Sequence, residues 1–383
     1  MTALARIRRF LAEHAPPTPC LVLDLDAVAD RAGELTREFP GARLCYAVKA
    51  NPEPAVVARL VAAGLSFDVA STGEIDLCRS LGAHGLSYGN TIKKPADIAY
   101  AFGLGVREFV TDTEGDLRAI AEHAPGSAVT VRLLVDGPAS ATPFGRKFGC
   151  SPELAAGLLV LAAELGLDPA GVSFHPGSQQ LDPGAWEPGI AAAAKVFAAA
   201  GARGVRARRL NLGGGMAVGY RGTAPSIGAY ATAIRGALAS HFPGGTPELV
   251  LEPGRVLVAE AGLIRTEVAG VRDDEKRWVF LDIGRYNGLA ETENEAIAYR
   301  VEPVTTRDGA HTGVILAGPT CDGDDVLYLR TPYSLPASVR AGDLLDILDA
   351  GAYTASYSSV SFNGIPPLRT YCLDGGTEGT DDR

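Results

Sequence analysis

Between residues 44 and 251 the chain alternates two kinds of stretch. Short β-rich runs end in polar or glycine residues, and each gives way to an Ala/Leu-rich stretch of helical periodicity. The runs cover residues 44–49, 66–70, 86–89, 108–111, 128–135, 171–175, 209–212 and 248–251. Eight strand–helix units over about 230 residues are what a (β/α)8 barrel requires. A doubly wound open sheet is the competitor, but it seldom repeats so evenly. Beyond Ala261 the rhythm changes to strand-like runs at 268–271, 278–282, 314–317, 325–329 and 343–348, separated by turns. The expected fold class is therefore α/β plus β, a TIM-like barrel with a second all-β, sandwich- or barrel-like domain. The early run Cys20–Asp24 is expected to pair with that domain. Residues 26–261 are assigned to the barrel, and 1–25 with 262–383 to the β domain. The polar tail 375–383 is expected to be disordered.

Length and charge narrow the functions. A chain of 383 residues is comfortable for two domains. Its net charge of −10 repels nucleic acid and anionic membranes and suits a cationic small molecule. Six cysteines (Cys20, Cys45, Cys78, Cys150, Cys321 and Cys372) form no C-x-x-C pair, so neither a zinc site nor a disulfide framework is indicated. The first fifteen residues are Arg-rich and amphipathic, without the apolar core of a secretory signal, and no apolar run reaches membrane-spanning length. A cytoplasmic location is the expectation.

In a barrel of this kind chemistry collects at the C-terminal ends of the strands. Of the six lysines, Lys49 alone stands at such an end within an apolar run. Desolvation there would lower its pKa and make it a nucleophile for carbonyls; a lysine snorkelling to the surface is the plain alternative. Asp68 lies in the second strand and Arg132 in the fifth, Asn90 follows the third, and His175 closes the sixth. An imidazole there can stack on an aromatic ring or be an ordinary core histidine. Gly213-Gly214-Gly215 follows the seventh strand and can bring backbone N–H groups to a phosphate, with Ser178 adding a hydroxyl; a tight turn reads the same way. Glu252-Pro253-Gly254-Arg255 follows the eighth. Its carboxylate needs a partner, either a protonated ring nitrogen or Arg255 itself. No histidine or cysteine has metal-ligand spacing.

These segments together resemble the fold-type III pyridoxal-phosphate decarboxylases, above all the bacterial ornithine decarboxylases. The likeness rests on Tyr-Ala-Val-Lys-Ala-Asn (46–51), Phe-Asp-Val-Ala-Ser (67–71), Ser-Tyr-Gly-Asn-Thr-Ile-Lys-Lys (87–94) and Arg-Lys-Phe-Gly-Cys (146–150). It continues through Ser-Phe-His-Pro-Gly-Ser-Gln-Gln (173–180), the glycine triplet and Leu-Glu-Pro-Gly-Arg (251–255). In the β domain it extends to Gly-Pro-Thr-Cys-Asp-Gly (318–323), Gly-Ala-Tyr-Thr (351–354) and Phe-Asn-Gly (362–364). The resemblance implies a head-to-tail homodimer with shared active sites and pyridoxal 5′-phosphate carried on Lys49. Asp68 and Arg132 would line the site, His175 would stack on the ring, and Glu252 would pair with its nitrogen. Ser178, Gly214, Gly215, Gly254, Arg255 and Tyr353 would bind the phosphate end. The partner chain would supply Cys321, controlling protonation, and Asp322, binding the distal ammonium. Tyr286, in the segment 282–289, together with Glu295 and Phe362 would complete the substrate site. One departure stands out: Pro176 follows the histidine where many relatives have valine.

The activity implied is decarboxylation of a basic L-amino acid, with L-ornithine giving putrescine as first choice. A lysine or dual-specificity decarboxylase would share nearly every motif. Diaminopimelate decarboxylases usually carry Cys-Glu where this chain has Cys321-Asp322, and a racemase would lack the Cys-Asp-Gly loop. From another class, the chain could be a non-catalytic pyridoxal-phosphate carrier or a regulatory pseudo-enzyme. Single-domain carriers lack a β domain like this one, and pseudo-enzymes tend to lose the lysine or the thiol, whereas Lys49 and Cys321 are both present.

Overall fold

The computed structural model describes residues 1–137, 140–142, 146–304 and 309–375. Its contacts divide it into two units. One comprises Arg31–Ala217 and Ala224–Gly254; the other comprises Met1–Asp30, Val218–Thr223 and the described residues from Arg255 onward.

In the first unit the strands Arg43–Ala47, Ser66–Val69, Leu86–Tyr88, Glu108–Thr111, Ala128–Arg132, Asp168–Ser173, Arg209–Asn211 and Glu248–Leu251 close into a barrel. All neighbouring pairs are parallel. A closed parallel sheet buries both faces of its strands, hence the short apolar runs in the sequence. Residues such as Cys45, Tyr46, Phe67, Val129, Val131 and Val172 are fully buried. The intervening helices start on local signals. Ser71, Thr113, Ser151 and Ser226 each accept a backbone N–H two or three residues into the helix, and Pro54, Pro95 and Pro152 occupy first turns.

The two ends of the barrel differ in kind. At the strand starts Arg43 donates to both oxygens of Glu108 (2.7 and 2.5 Å), and Arg208 to both oxygens of Asp168 (2.8 and 2.6 Å). Arg209 lies 3.3 Å from Glu108 and 3.6 Å from Glu248. Five strand starts are thus tied by charge, a structural use of that face. Several strands stop earlier than expected at the other end. Lys49, Asn90 and His175 lie just past the ladder, in the loops that form the mouth.

The second unit is an eight-stranded sheet. Its main path runs Arg300–Pro303, Leu344–Leu348, Gly262–Asp273, Arg277–Leu281, His311–Ala317, Tyr333–Pro336. Cys20–Asp24 joins it as expected, antiparallel to Gly262–Asp273 and parallel to Arg369–Leu373. The amphipathic N-terminus forms the helix Ala3–His14, which packs Ile7 and Leu11 on Cys20, Val22, Leu263 and Leu348. Arg6 adds two hydrogen bonds to Asp24, at 2.5 and 2.9 Å.

Residues 325–329 do not form the expected strand; only Val326 bridges Ala317. Asp325 is the cause. Its buried carboxylate accepts from Arg285 N at 2.8 Å and from Thr320 N and Oγ1 at 3.1 and 2.8 Å, which ties the segment into a turn. The disorder expected of 375–383 falls, apart from Gly375, outside the described residues. Among the described residues no helix is long and apolar enough to cross a membrane.

Candidate active site

Lys49 is the middle residue of a 3-10 turn, Val48–Ala50, that begins where the first barrel strand stops. Its neighbours Val48 and Ala50 are buried, whereas the lysine side chain is 46% exposed. The apolar run therefore does not desolvate Lys49. The amine stands half-exposed at the barrel mouth rather than in the desolvated setting expected of it. Tyr46 Oη pins the turn by donating to the Asn51 carbonyl at 2.9 Å. Lys49 Nζ lies 3.5 Å from Asp68 Oδ2.

Asp68 is the buried member of this pair. Ala47 sits opposite it in the ladder, which sets it beside the lysine turn. Its Oδ1 is buried with no hydrogen-bond partner among the described residues. Burial, then the charge of Glu252, push its carboxyl up to about 8, against the pull of Lys49. Gly89 leaves it room, since a Cβ there would overlap Oδ1. Sequence reading missed a third carboxylate, Glu74. It accepts from Ala70 N at 2.7 Å, and burial raises its carboxyl against that bond and Lys49.

His175 is neutral. Burial, then the charges of Arg132 and Lys49, hold its imidazole well below its ordinary range. Gly177 N–H donates to Nδ1 at 3.1 Å, so the ring proton sits on Nε2. The ring lies against the glycine triplet: Cβ atoms on Gly214 and Gly215 would come within 3.4 Å of Nε2 and 3.3 Å of Cε1. The triplet is more than a flexible turn. Gly213 and Gly215 have φ of 66° and 106°, and added Cβ atoms would collide with the carbonyls of Phe174 and Gly177. Ser178 opens the short strand Ser178–Gln180, and the Pro176 carbonyl is held by Gln180 Nε2 at 3.1 Å. Arg132 is half-buried with its guanidinium 4.8 Å from the Phe148 ring; burial lowers its pKa against the pull of Glu252 and Asp68. Glu252 is anchored by Asn211, whose Nδ2 donates to Oε1 at 2.5 Å. Asn211 was also missed, and its signal was slight: a polar residue ending a barrel strand.

In the β unit Arg255 is buried, donating to both oxygens of Glu291 (2.7 and 2.6 Å) and to Tyr220 Oη (2.8 Å). Tyr353, at φ 55°, places its ring 4.8 Å from that guanidinium. The carboxylate found on Arg255 is Glu291, which the sequence reading did not single out. Cys321 is exposed; its N–H donates to Asn363 Oδ1 at 3.0 Å, and Asn363 Nδ2 lies 3.3 Å from its sulfur. Tyr286 packs on Phe362 with ring centroids 4.7 Å apart. It also lines a cavity of about 310 Å³ with Arg285, Glu293 and residues 356–359. Glu295 Oε1 accepts the N–H groups of Arg330 (2.6 Å) and Thr331 (3.3 Å). Burial opposes its ionisation, but those bonds outweigh it and hold the carboxyl below its ordinary range.

The barrel residues fit a phosphorylated pyridine aldehyde. They offer an accessible amine, a backbone cradle that tolerates no side chain, a neutral imidazole and an anchored carboxylate, with an orphaned Asp68 oxygen beside them.

A family model described as the pyridoxal-dependent decarboxylase pyridoxal-binding domain matches residues 25–259. A lysine/ornithine decarboxylase of Selenomonas ruminantium is 33% identical over 352 residues, covering 91% of this chain and 88% of the relative. A diaminopimelate decarboxylase of Actinosynnema pretiosum is 33% identical over 378 residues, covering 92% and 83%. The crystal structure of the Paramecium bursaria Chlorella virus arginine decarboxylase superposes with a TM-score of 0.88 at 26% identity, covering 96% of this chain and all of that one.

Proposed function

The chain belongs to the pyridoxal-dependent decarboxylases, and from that premise we propose that it converts L-ornithine to putrescine and CO2. Its cofactor is pyridoxal phosphate. When bound, that cofactor supplies a protonated ring that holds the electrons of the broken carboxylate bond. In this reading Lys49 carries the aldehyde carbon, Glu252 keeps the ring nitrogen protonated, and neutral His175 lies on the ring face. Asp68 and Arg132 flank the lysine. Ser178, Gly214, Gly215, Gly254, Arg255 and Tyr353 hold the phosphate end. The working unit is a homodimer in which Cys321 and Asp322 of one chain serve Lys49 of the other. Cys321 then places the proton that replaces CO2.

The observation that carries the choice of substrate is the charge around Asp322. The Asp324 N–H donates to Asp322 Oδ1 at 2.8 Å, which orients this carboxylate for a distal ammonium. Glu295, held ionised by Arg330 and Thr331, is the second acid. A distal carboxylate, as in diaminopimelate, would need a cation instead. Arg285 in the same segment is already engaged by Glu293 at 3.1 Å and by the Asp324 carbonyl at 2.7 Å. Lysine differs from ornithine by one methylene, worth about 1–3 kcal/mol in a fitted pocket. Purified enzyme given ornithine, lysine, arginine and diaminopimelate separately is expected to favour ornithine over lysine by at least about tenfold in kcat/KM. A product other than putrescine dominating by mass spectrometry would overturn the choice.

A further inference from the structure

Asn211 ends the seventh barrel strand and is buried. Its backbone is fixed on both sides, in register with Ser173 of one neighbouring strand and Val250 of the other. The side chain leaves this fixed point and bonds in two directions. Nδ2 donates to Glu252 Oε1 at 2.5 Å, and Oδ1 accepts the Gly213 N–H at 2.9 Å. A carboxylate can only accept and an N–H can only donate, so the two partners together dictate which way the amide faces.

The two partners do different work. Gly213 opens the glycine turn in a left-handed conformation, and a Cβ on the next residue, Gly214, would overlap the Glu252 carbonyl. Glu252 N donates back to the Gly213 carbonyl at 2.9 Å. Turn and carboxylate are thus joined through backbone on one side and through Asn211 on the other. We infer that Asn211 is a positioning residue that locks the Glu252 carboxylate and the turn Gly213–Gly215 into one piece, so that the ring nitrogen and the phosphate of a single cofactor molecule are gripped in fixed register. The inference rests on the cofactor roles given above to Glu252 and to the glycine turn.

Two ligands separate the arms of the bridge: pyridoxal phosphate, and pyridoxal, which lacks the phosphate. Dissociation constants follow from the loss of visible absorbance on dilution of the loaded protein. Asn211→Ala is expected to weaken pyridoxal phosphate by about tenfold or more, as loss of supporting residues around a bound group commonly does. Pyridoxal is weakened less, so the preference for the phosphorylated form falls severalfold. Asn211→Asp keeps an acceptor for the Gly213 N–H and keeps that preference within about twofold of the parent. Glu252→Gln lowers kcat, and adding Asn211→Ala to it lowers kcat little further, because both act through one carboxylate. If the alanine protein does not fold, Asn211→Leu fills a similar volume without hydrogen bonds and is measured in its place.

An unchanged phosphate preference in Asn211→Ala, or kcat losses that multiply in the double variant, would overturn the inference. Parental kcat in Glu252→Gln would instead remove Glu252 from the ring nitrogen, a failure of the underlying assignment that leaves the Asn211 binding result to be judged separately.

Discussion

Lys49→Ala protein is expected to fold, to lose the visible absorbance of a lysine-bound cofactor, and to turn over at least about a thousandfold more slowly, the scale set by removal of a covalent nucleophile. Lys49 is 46% exposed, so truncation opens no core cavity. The group that feels its loss is Asp68. Burial and Glu252 already push this carboxyl up to about 8 with the lysine opposing them. Without that opposition Asp68 stays protonated over a wider range, and a neutral acid is inexpensive to bury. The stability change is therefore expected to stay within about 1 kcal/mol at neutral pH. Lys93 makes the contrast. Its side chain is fully buried, and its Nζ donates to the Asn90 and Val110 carbonyls and to Asp116 at 2.8–2.9 Å. All three protons of that ammonium are spoken for, which makes it a structural lysine with no capacity to attack a carbonyl. Steady-state rates, an absorption spectrum and a melting curve on Lys49→Ala decide the matter. Turnover near the parental rate would end Lys49's role.

The barrel was legible because its signal is redundant. Eight buried parallel strands each leave an apolar run, and each helix between them begins with a serine, threonine or proline signal. What the pattern could not supply was the point at which each strand leaves the ladder. Hydrophobic runs continue into the mouth, so residues 44–49 read as one strand although pairing stops at Ala47. That small difference removed the argument that Lys49 is desolvated. The β unit was harder to read. Arg300–Pro303, Tyr333–Pro336 and Arg369–Leu373 are short, two of them end in proline, and none is an unbroken buried run. Residues 325–329 carry apolar residues enough for a strand, but Asp325 folds them into a turn.

The site divides in the same way. The residues proposed to touch the cofactor fall inside recognisable segments, and Lys49, His175 and Glu252 all lie at the barrel mouth. The residues that hold them do not. Asn211 reaches Glu252 across 41 positions, and Glu291 reaches Arg255 across 36. No local spacing links such pairs; only the closed fold does. Glu74 sits four residues from its partner Ala70, yet at the start of a helix it reads as an ordinary helix acid until its burial is known.

Glu291→Ala should cost about 3–5 kcal/mol, the usual penalty for stranding one member of a buried ion pair. The side chains of Arg255 and Glu291 are 4% and 9% exposed, and the pair is bidentate. Removing the carboxylate leaves a guanidinium that cannot escape by losing its proton. Burial works to lower the Arg255 pKa, but Tyr220, Glu291 and Tyr353 outweigh it and hold it well above its ordinary range. Tyr220 cannot serve as the replacement anion, because burial has pushed its phenol up to about 12. Glu291→Gln keeps an acceptor for one guanidinium nitrogen and should lose less, about 1–3 kcal/mol. The decisive control is Arg255→Met combined with Glu291→Ala. With both charges gone the site is apolar, and much of the lost stability should return. Because the chain has two units and Arg255 is assigned to the cofactor phosphate, unfolding is followed by two probes on protein freed of cofactor, in urea as well as by heat. A Glu291→Ala protein within about 1 kcal/mol of the parent would mean that water or a neighbouring group already compensates Arg255. A double variant no more stable than the single would show that the loss comes from packing around Tyr220, whose ring stands edge-on to Tyr299 with centroids 5.3 Å apart, rather than from the uncompensated charge.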